Sequence, residues 1–418
     1  MKLVYFTHSL ASCWNHGNAH FLRGVLRELV HAGHEVVAFE PEGAWSLENL
    51  LKDAGDAGLD AWRAAYPELS PETYGRAADL QALTDGADVV IVHEWNDHGL
   101  VRDLGRLRAR GARFTLLFHD THHRAVSEPE AMRAYDLSAY DGVLAFGDAL
   151  AEVYRRWGWG NRVFVWHEAA DTRLFRPPAA EGPREGLIWI GNWGDDERTA
   201  ELERFLLAPA QRAGLSLDVH GVRYPAPALT LLERYGTRYR GWIANAAAPS
   251  AFARHLATVH VPRRFYVEAL PGIPTIRVFE SLACGIPLLS APWNDAEGLF
   301  RPGRDFLFAR DGEEMERHLR AVRADADLRG SLVASGLETI RARHTCRHRM
   351  EELIGLLTRL RGRGTAPRSG AVEGALERRA DTPAGCEPYD PAPPQSAASR
   401  LTAPPQAGEQ GWNTEAAA

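Results

Sequence analysis

Cysteine is scarce. Cys13, Cys284, Cys346 and Cys386 are the only four in 418 residues, and no two stand at metal-ligand or redox spacing. That excludes a disulfide framework and suits a reducing compartment such as the cytoplasm. Long apolar runs are missing too. No stretch approaches the roughly 20 apolar residues of a spanning helix. The opening run Met1 to Phe6 turns polar at Thr7-His8-Ser9, too soon for a signal-peptide core. The expectation is a soluble protein, at most peripheral to a membrane. Positive charge is not in excess either. A formal net charge of −7 argues against general nucleic-acid binding, whose phosphate contacts want a basic surface. Neither a G-x-G-x-x-G fingerprint nor a P-loop occurs, so no nicotinamide, flavin or other resident cofactor is implied.

What is present is globular: 45% apolar and 25% charged residues. The length exceeds one ordinary core, so two domains are expected. Leu3 to Phe6 reads as a buried strand. Leu22, Val25, Leu26, Leu29 and Val30 then fall on one helical stripe, Gly33 stops that helix, and Glu35 to Phe39 is the next strand. This βαβ unit predicts a parallel sheet with helices on its faces. Further strands are read at Asp88–His93, Phe114–His119, Gly142–Phe146 and Val163–Trp166. After a Pro-rich break from Arg176 to Pro183, the pattern restarts at Leu187–Gly191, with more strands at Leu215–Gly221 and Ile286–Ser290. The α/β reading is two Rossmann-like domains, 1–172 and 173–346, a C-terminal helix over 347–362, and a tail over 363–418. That tail holds eight prolines and almost no aliphatic periodicity, so disorder is expected.

Ligands of such sheets sit beyond the carboxyl ends of the strands, so residues there carry the candidate chemistry. Ile276 to Ala283 predicts a helix stopped by Gly285, and Pro274 and Thr275 stand at its start, where free N–H groups favour an anion. Arg277 and Glu280 share a face. A phosphate at the terminus, a guanidinium beside it and a carboxylate one turn on, accepting both ribose hydroxyls, would suit a nucleotide diphosphate sugar. The same spacing also suits a solvated ion pair. Gly17-Asn18 with His20, between a strand and a helix, lets an acceptor or phosphate approach the backbone. Glu94 and Trp95 follow another strand, one as a candidate base and the other as a surface for a sugar to stack on. His119, with Asp120 beside it, ends a third strand. The histidines of this loop also invite a metal, but nothing is spaced to complete a tetrahedron, and the expected site holds none. Asp325-Ala326-Asp327 lies in a charged helix-like stretch and reads as solvated surface.

The stretch Val278-Phe279-Glu280-Ser281-Leu282-Ala283-Cys284-Gly285-Ile286-Pro287-Leu288 resembles the donor-site signature of GT-B glycosyltransferases, especially the family-four type. With Gly17-Asn18-Ala19-His20, Arg23-Gly24, Gly33-His34-Glu35-Val36, Ile190-Gly191-Asn192-Trp193, Arg343-His344-Thr345 and Arg349, residues 1–360 resemble the CgeB-like (spore-maturation) group. The resemblance implies a GT-B pair of domains across a cleft, the second binding the sugar nucleotide and the first the acceptor. It makes Glu280 the ribose-binding glutamate and Trp242-Ile243 the turn that brackets the base. It also puts a histidine near the anomeric carbon, here His119, which either contacts the donor sugar or, with Asp120, acts as base on an acceptor hydroxyl. Two departures stand out. The family's second glutamate, eight positions before the first, is Gly272 here. The arginine and lysine of the diphosphate site are Asn192 and Arg198. The implied activity is hexosyl transfer from a nucleotide sugar to an unidentified acceptor. A non-catalytic sugar-nucleotide binder and a nucleotide-sugar 2-epimerase are the alternatives.

Overall fold

The sequence folds, in a computed structural model, into two parallel sheets, with residues 1–178, 182–194 and 197–363 described. All of these belong to one compact unit. The Pro-rich tail expected to be disordered lies outside the described residues, as do 179–181 of the Pro-rich break and the pair Asp195 and Asp196.

The first sheet has the strands β1 Lys2–Phe6, β2 Glu35–Pro41, β3 Glu72–Tyr74, β4 Val89–His93, β5 Thr115–Asp120, β6 Gly142–Ala145 and β7 Val163–Val165. Their order is β3-β2-β1-β4-β5-β6-β7. The second has β8 Leu187–Ile190, β9 Leu217–His220, β10 Arg238–Tyr239, β11 Ala257–His260, β12 Leu288–Ser290 and β13 Leu307–Phe308, in the order β10-β9-β8-β11-β12-β13. Every pairing is parallel. The central strands are apolar on both faces because helices cover both; β4 and β5 are buried along their whole length. Each sheet reverses its winding beside its first strand, which opens a crevice at the carboxyl ends.

The chain returns to the first sheet at its end. Thr345 pairs with Ala170 in an isolated bridge, and the following helix, Cys346–Arg363, packs on Ala19–His31. Gly24 makes that approach possible. A Cβ there would sit 2.5 Å from Cys346 Sγ and 2.8 Å from Asp171 Cβ. Gly24→Ala is expected to lower stability by about 1–3 kcal/mol through overpacking, read as a lower urea midpoint at unchanged m-value. Asp325, read as solvated surface, is the N-cap of Ala326–Arg343, its carboxylate accepting from Leu328 N at 2.9 Å.

Candidate functional site

Loops at the carboxyl ends of both sheets meet around a cavity of about 230 Å³. Of the residues singled out in the sequence, Gly17 and Asn18 line it from the first domain, and Asn192, Arg198, Trp242, Ile243, Thr275, Ile276 and Arg277 from the second. His20, Glu94, Trp95, His119, Asp120 and Glu280 are not among its lining residues.

The helix Ile276–Ala283 points its start at the cavity. Thr275 is extended (φ −79°, ψ 159°) and its side chain caps nothing, so the first-turn N–H groups have no side-chain acceptor. Val278, Phe279, Leu282 and Ala283 bury the opposite face. Gly285 then turns the chain into β12 at φ +64°, a left-handed conformation that favours glycine. An uncapped helix start with nearby cations is a ready anion site.

Glu280 lies one turn behind it with no exposed surface. Its Oε1 accepts from Asn245 Nδ2 at 2.8 Å, and Arg277 Nη1 donates to its Oε2. His20, on a first-domain helix, brings Nδ1 within 3.3 Å of Oε1, though too poorly aligned to form a hydrogen bond. Burial raises the Glu280 pKa, and Arg277 and Asn245 only partly oppose it. The carboxylate is thus a node joining the domains, shielded from the cavity by Arg277.

Arg198 is 8% exposed and, among the described residues, donates to backbone carbonyls, those of Asn192, Trp193 (3.3 Å) and Val261 (2.8 Å). Burial, helped by Arg263, brings its pKa down to about 10. A guanidinium so placed has charge to spare for an anion. Asn192 is more committed. Its Nδ2 donates to Asn15 Oδ1 across the cavity, and its Oδ1 accepts from Val222 N at 3.0 Å. Trp242 packs by Trp14, Leu50 and Val222, and its indole N–H has no partner among the described residues.

On the first-domain side, Asn18 Nδ2 donates to the Thr121 carbonyl (3.0 Å) and hydroxyl (2.6 Å). His119 is fully buried and off the cavity wall, hydrogen-bonded through Nδ1 to Tyr5 Oη at 2.5 Å; burial takes its pKa to about 3. Asp120 is bonded by Tyr154 Oη at 2.7 Å and His122 N at 3.0 Å, and burial raises its pKa to about 6. Glu94 is buried against Arg124 Nη1 at 3.2 Å. Trp95 is 43% exposed, under the Arg124 guanidinium.

Sequence reading gave no ligand-binding role to several lining residues: Thr121, His122 (weighed only as one of the loop's histidines for a metal), Glu168 and Arg263. The first two adjoin His119 and Asp120 at the same strand end. Arg263 follows β11, a strand not read from the sequence, and pairs with Glu197 at 2.8 Å. Glu168 follows β7, and the rule that strand ends carry function would have found it.

The family described as Glycosyltransferase Family 4 matches residues 17–174, and that described as Glycosyl transferase-like matches 198–355. No curated protein matches the sequence. Among solved structures, the chain is similar to sucrose-phosphate synthase from Thermosynechococcus elongatus, with TM-score 0.61 and 15% identity over 87% of this chain and 100% of that one. It is similar to the Anabaena protein HepE in complex with UDP and glucose, at 0.60 and 12%, over 86% and 100%. It is also similar to an alpha-glucosyltransferase in complex with UDP, at 0.61 and 10%, over 85% and 99%. At such identities what is shared is the fold. Each half of the chain carries a glycosyltransferase-family domain, and the two sheets together resemble the GT-B glycosyltransferases.

Proposed function

We propose that this glycosyltransferase moves a hexosyl group from a nucleotide sugar to an acceptor without a metal ion, and that it falls in the CgeB-like group. The observation that carries the reading is one cavity lined by an uncapped helix start and three guanidinium groups, Arg198, Arg263 and Arg277. Three cations and a helix dipole supply the charge that a leaving diphosphate needs and that a metal supplies elsewhere. The base packs on the Trp242-Ile243 turn, where the unpartnered indole N–H waits. Ribose reaches Glu280 once Arg277 turns from that carboxylate toward the phosphates. The acceptor enters past Gly17, Asn18 and Trp95, and His20 and Glu94 support that wall from behind. Three described cysteines are free thiols, which agrees with work in the cytoplasm.

UDP is the first nucleotide to test, since HepE and the alpha-glucosyltransferase hold it. With EDTA present, one of UDP, GDP or dTDP should raise the melting temperature, because a ligand at 100 times its Kd adds about 2.7 kcal/mol. No shift with any of the three, or a shift only when metal is added, defeats the proposal.

His119 and Asp120 hold other partners off the cavity wall, and this favours a second reading, a sugar-nucleotide binder without turnover. Release of nucleotide from a labelled donor in the presence of acceptor extract separates the two.

A further inference from the structure

Glu168 stands three residues beyond β7, in the segment that leaves the first sheet. It is 2% exposed yet lines the cavity, where it is the sole carboxyl among the described lining residues. Its Oε1 has no hydrogen-bond partner among the described residues. Neighbouring groups hold partners, among them Trp166 N, which donates to the Ala145 carbonyl at 2.8 Å. Trp166 Nε1 donates to the Arg349 carbonyl at 2.9 Å, His167 Nε2 pairs with Glu297 Oε2 at 2.7 Å, and Ala170 N donates to the His344 carbonyl. The backbone is therefore pinned on both sides of a side chain that is itself left open. Buried polar atoms almost always have partners, and one that lacks them in a cavity wall calls for a ligand.

The cavity's charge says which ligand. The nearby cation, Arg277, is engaged by Glu280, so Glu168 has none of its own. Burial, reinforced by the Glu280 charge and only partly opposed by Arg277, holds its pKa well above the carboxylate range. Tyr266 and Cys346 are the other titratable groups that sense it. A protonated carboxyl has one O–H donor and one carbonyl acceptor, which fits neighbouring sugar hydroxyls. Being neutral, it does not repel a diphosphate bound by the arginines. The loop before the 276–283 helix has no carboxyl to offer. Gly272 is at φ +93°, and a Cβ there would lie 3.3 Å from both Ala296 Cβ and Glu297 Cγ.

We propose that Glu168 is the carboxyl that binds the hydroxyls of the transferred sugar, supplied to the cavity from the crossover between the domains. The proposal rests on the nucleotide-sugar reading and sharpens it: the nucleotide is held by the second domain, and the sugar is selected by the segment between the two.

The test compares wild type, Glu168→Gln and Glu168→Ala, titrating each with UDP alone and with UDP-glucose, UDP-N-acetylglucosamine and UDP-galactose, and with the GDP and dTDP counterparts. The alanine variant should bind the preferred nucleotide sugar about 10-fold more weakly, the worth of one or two hydrogen bonds. Its affinity for the free diphosphate should stay within about 2-fold. The glutamine variant, which keeps a donor and an acceptor, should lose less. A wild type that binds no diphosphate overturns the donor reading itself. A diphosphate that binds normally, with sugar affinity unchanged in the alanine variant, overturns only the role of Glu168, as does an equal loss for diphosphate and nucleotide sugar. Stability gives a second readout. The folded chain keeps a proton on Glu168 that the unfolded chain releases above its ordinary pKa of 4.5, so this group's contribution falls as pH rises. Glu168→Gln should therefore gain on wild type in melting temperature from about pH 5 to pH 8. A difference that stays flat with pH means that the site is not the buried, protonated one proposed.

Discussion

Replacing Glu280 by alanine is expected to lower the stability of the chain by about 3 kcal/mol, near the low end for breaking a buried ion pair. Several groups lose their partner at once. Asn245 is 6% exposed, and its Nδ2 would have no acceptor, which alone costs about 1–3 kcal/mol. The vacated side-chain volume adds a cavity under the helix Ile276–Ala283. Arg277 keeps the total down, because at 28% side-chain exposure it can turn to water. His20 loses its neighbour across the domain boundary, so the 276–283 helix loosens against Ala19–His31. Glu280→Gln preserves volume and the acceptor for Asn245 but sets an amide N–H against Arg277, and about 1.5–2 kcal/mol is expected, in the lower part of the worth of a hydrogen bond to a charged group. Urea unfolding at pH 7 checks both. An alanine variant within about 0.5 kcal/mol of wild type, the range of an ordinary surface change, would show that the node is not structural.

The sheets were legible because their central strands are short, fully buried runs, bounded by glycine or by polar loops. Leu3–Phe6, Val89–His93, Thr115–Asp120 and Leu187–Ile190 sit between helices on both faces, and that environment writes an unbroken apolar run into the sequence. β3, β10 and β13 left no such mark. They are two or three residues long, and each ends its sheet or lies next to solvent, with little apolar surface to declare it. β11 is different: it is central and wholly buried, but Ala257-Thr258-Val259-His260 has two polar residues in four. Thr258 gives its hydroxyl to the Ile188 carbonyl at 2.7 Å and His260 meets Ser290 at 3.0 Å, so the sheet pays for their burial with hydrogen bonds.

The lining of the cavity was legible more fully on the second domain than on the first. On the second domain, helix spacing and glycine punctuation predict that Thr275, Ile276 and Arg277 stand at a helix start, and they line the cavity there. What spacing could not foretell is which residue of the Arg277–Glu280 pair faces the cavity. The helix is amphipathic, and the carboxylate falls on the side that meets His20 of the other domain, a contact across 260 residues. In the first domain Gly17 and Asn18 line the cavity, whereas the strand-end pair His119 and Asp120 does not. His119 and Asp120 end β5, but a strand end in a two-domain protein can be roofed by its own loop, and here Thr121 and His122 form that roof.

Arg277→Ala should weaken binding of the nucleoside diphosphate by about 10- to 150-fold, the worth of a hydrogen bond between charged groups. Arg277 is the cation best placed for this. It lies in the first turn of the uncapped helix, lines the cavity and is bound to a carboxylate that it can exchange for a phosphate. Arg198 is anchored to three carbonyls, so Arg198→Ala should disturb the loop after β8 and reduce stability along with affinity. Arg277→Ala should separate the two effects through pH. Glu280 would lose the charge that holds its pKa down, so its folded pKa would rise further above 4.5. A carboxyl whose folded pKa is raised contributes stability that is lost as pH rises through it. The variant should thus melt close to wild type near pH 5, where Glu280 can take a proton, and progressively below it toward pH 8. Binding should be weak at both ends. Arg277→Lys, a point charge without the planar fork, should recover part of the affinity. Isothermal titration with UDP at the two pH values, beside melting curves without ligand, reads both effects. If the variant binds like wild type, the diphosphate does not sit at this helix start; if its melting deficit is the same at pH 5 and pH 8, Arg277 is not what holds the Glu280 pKa down.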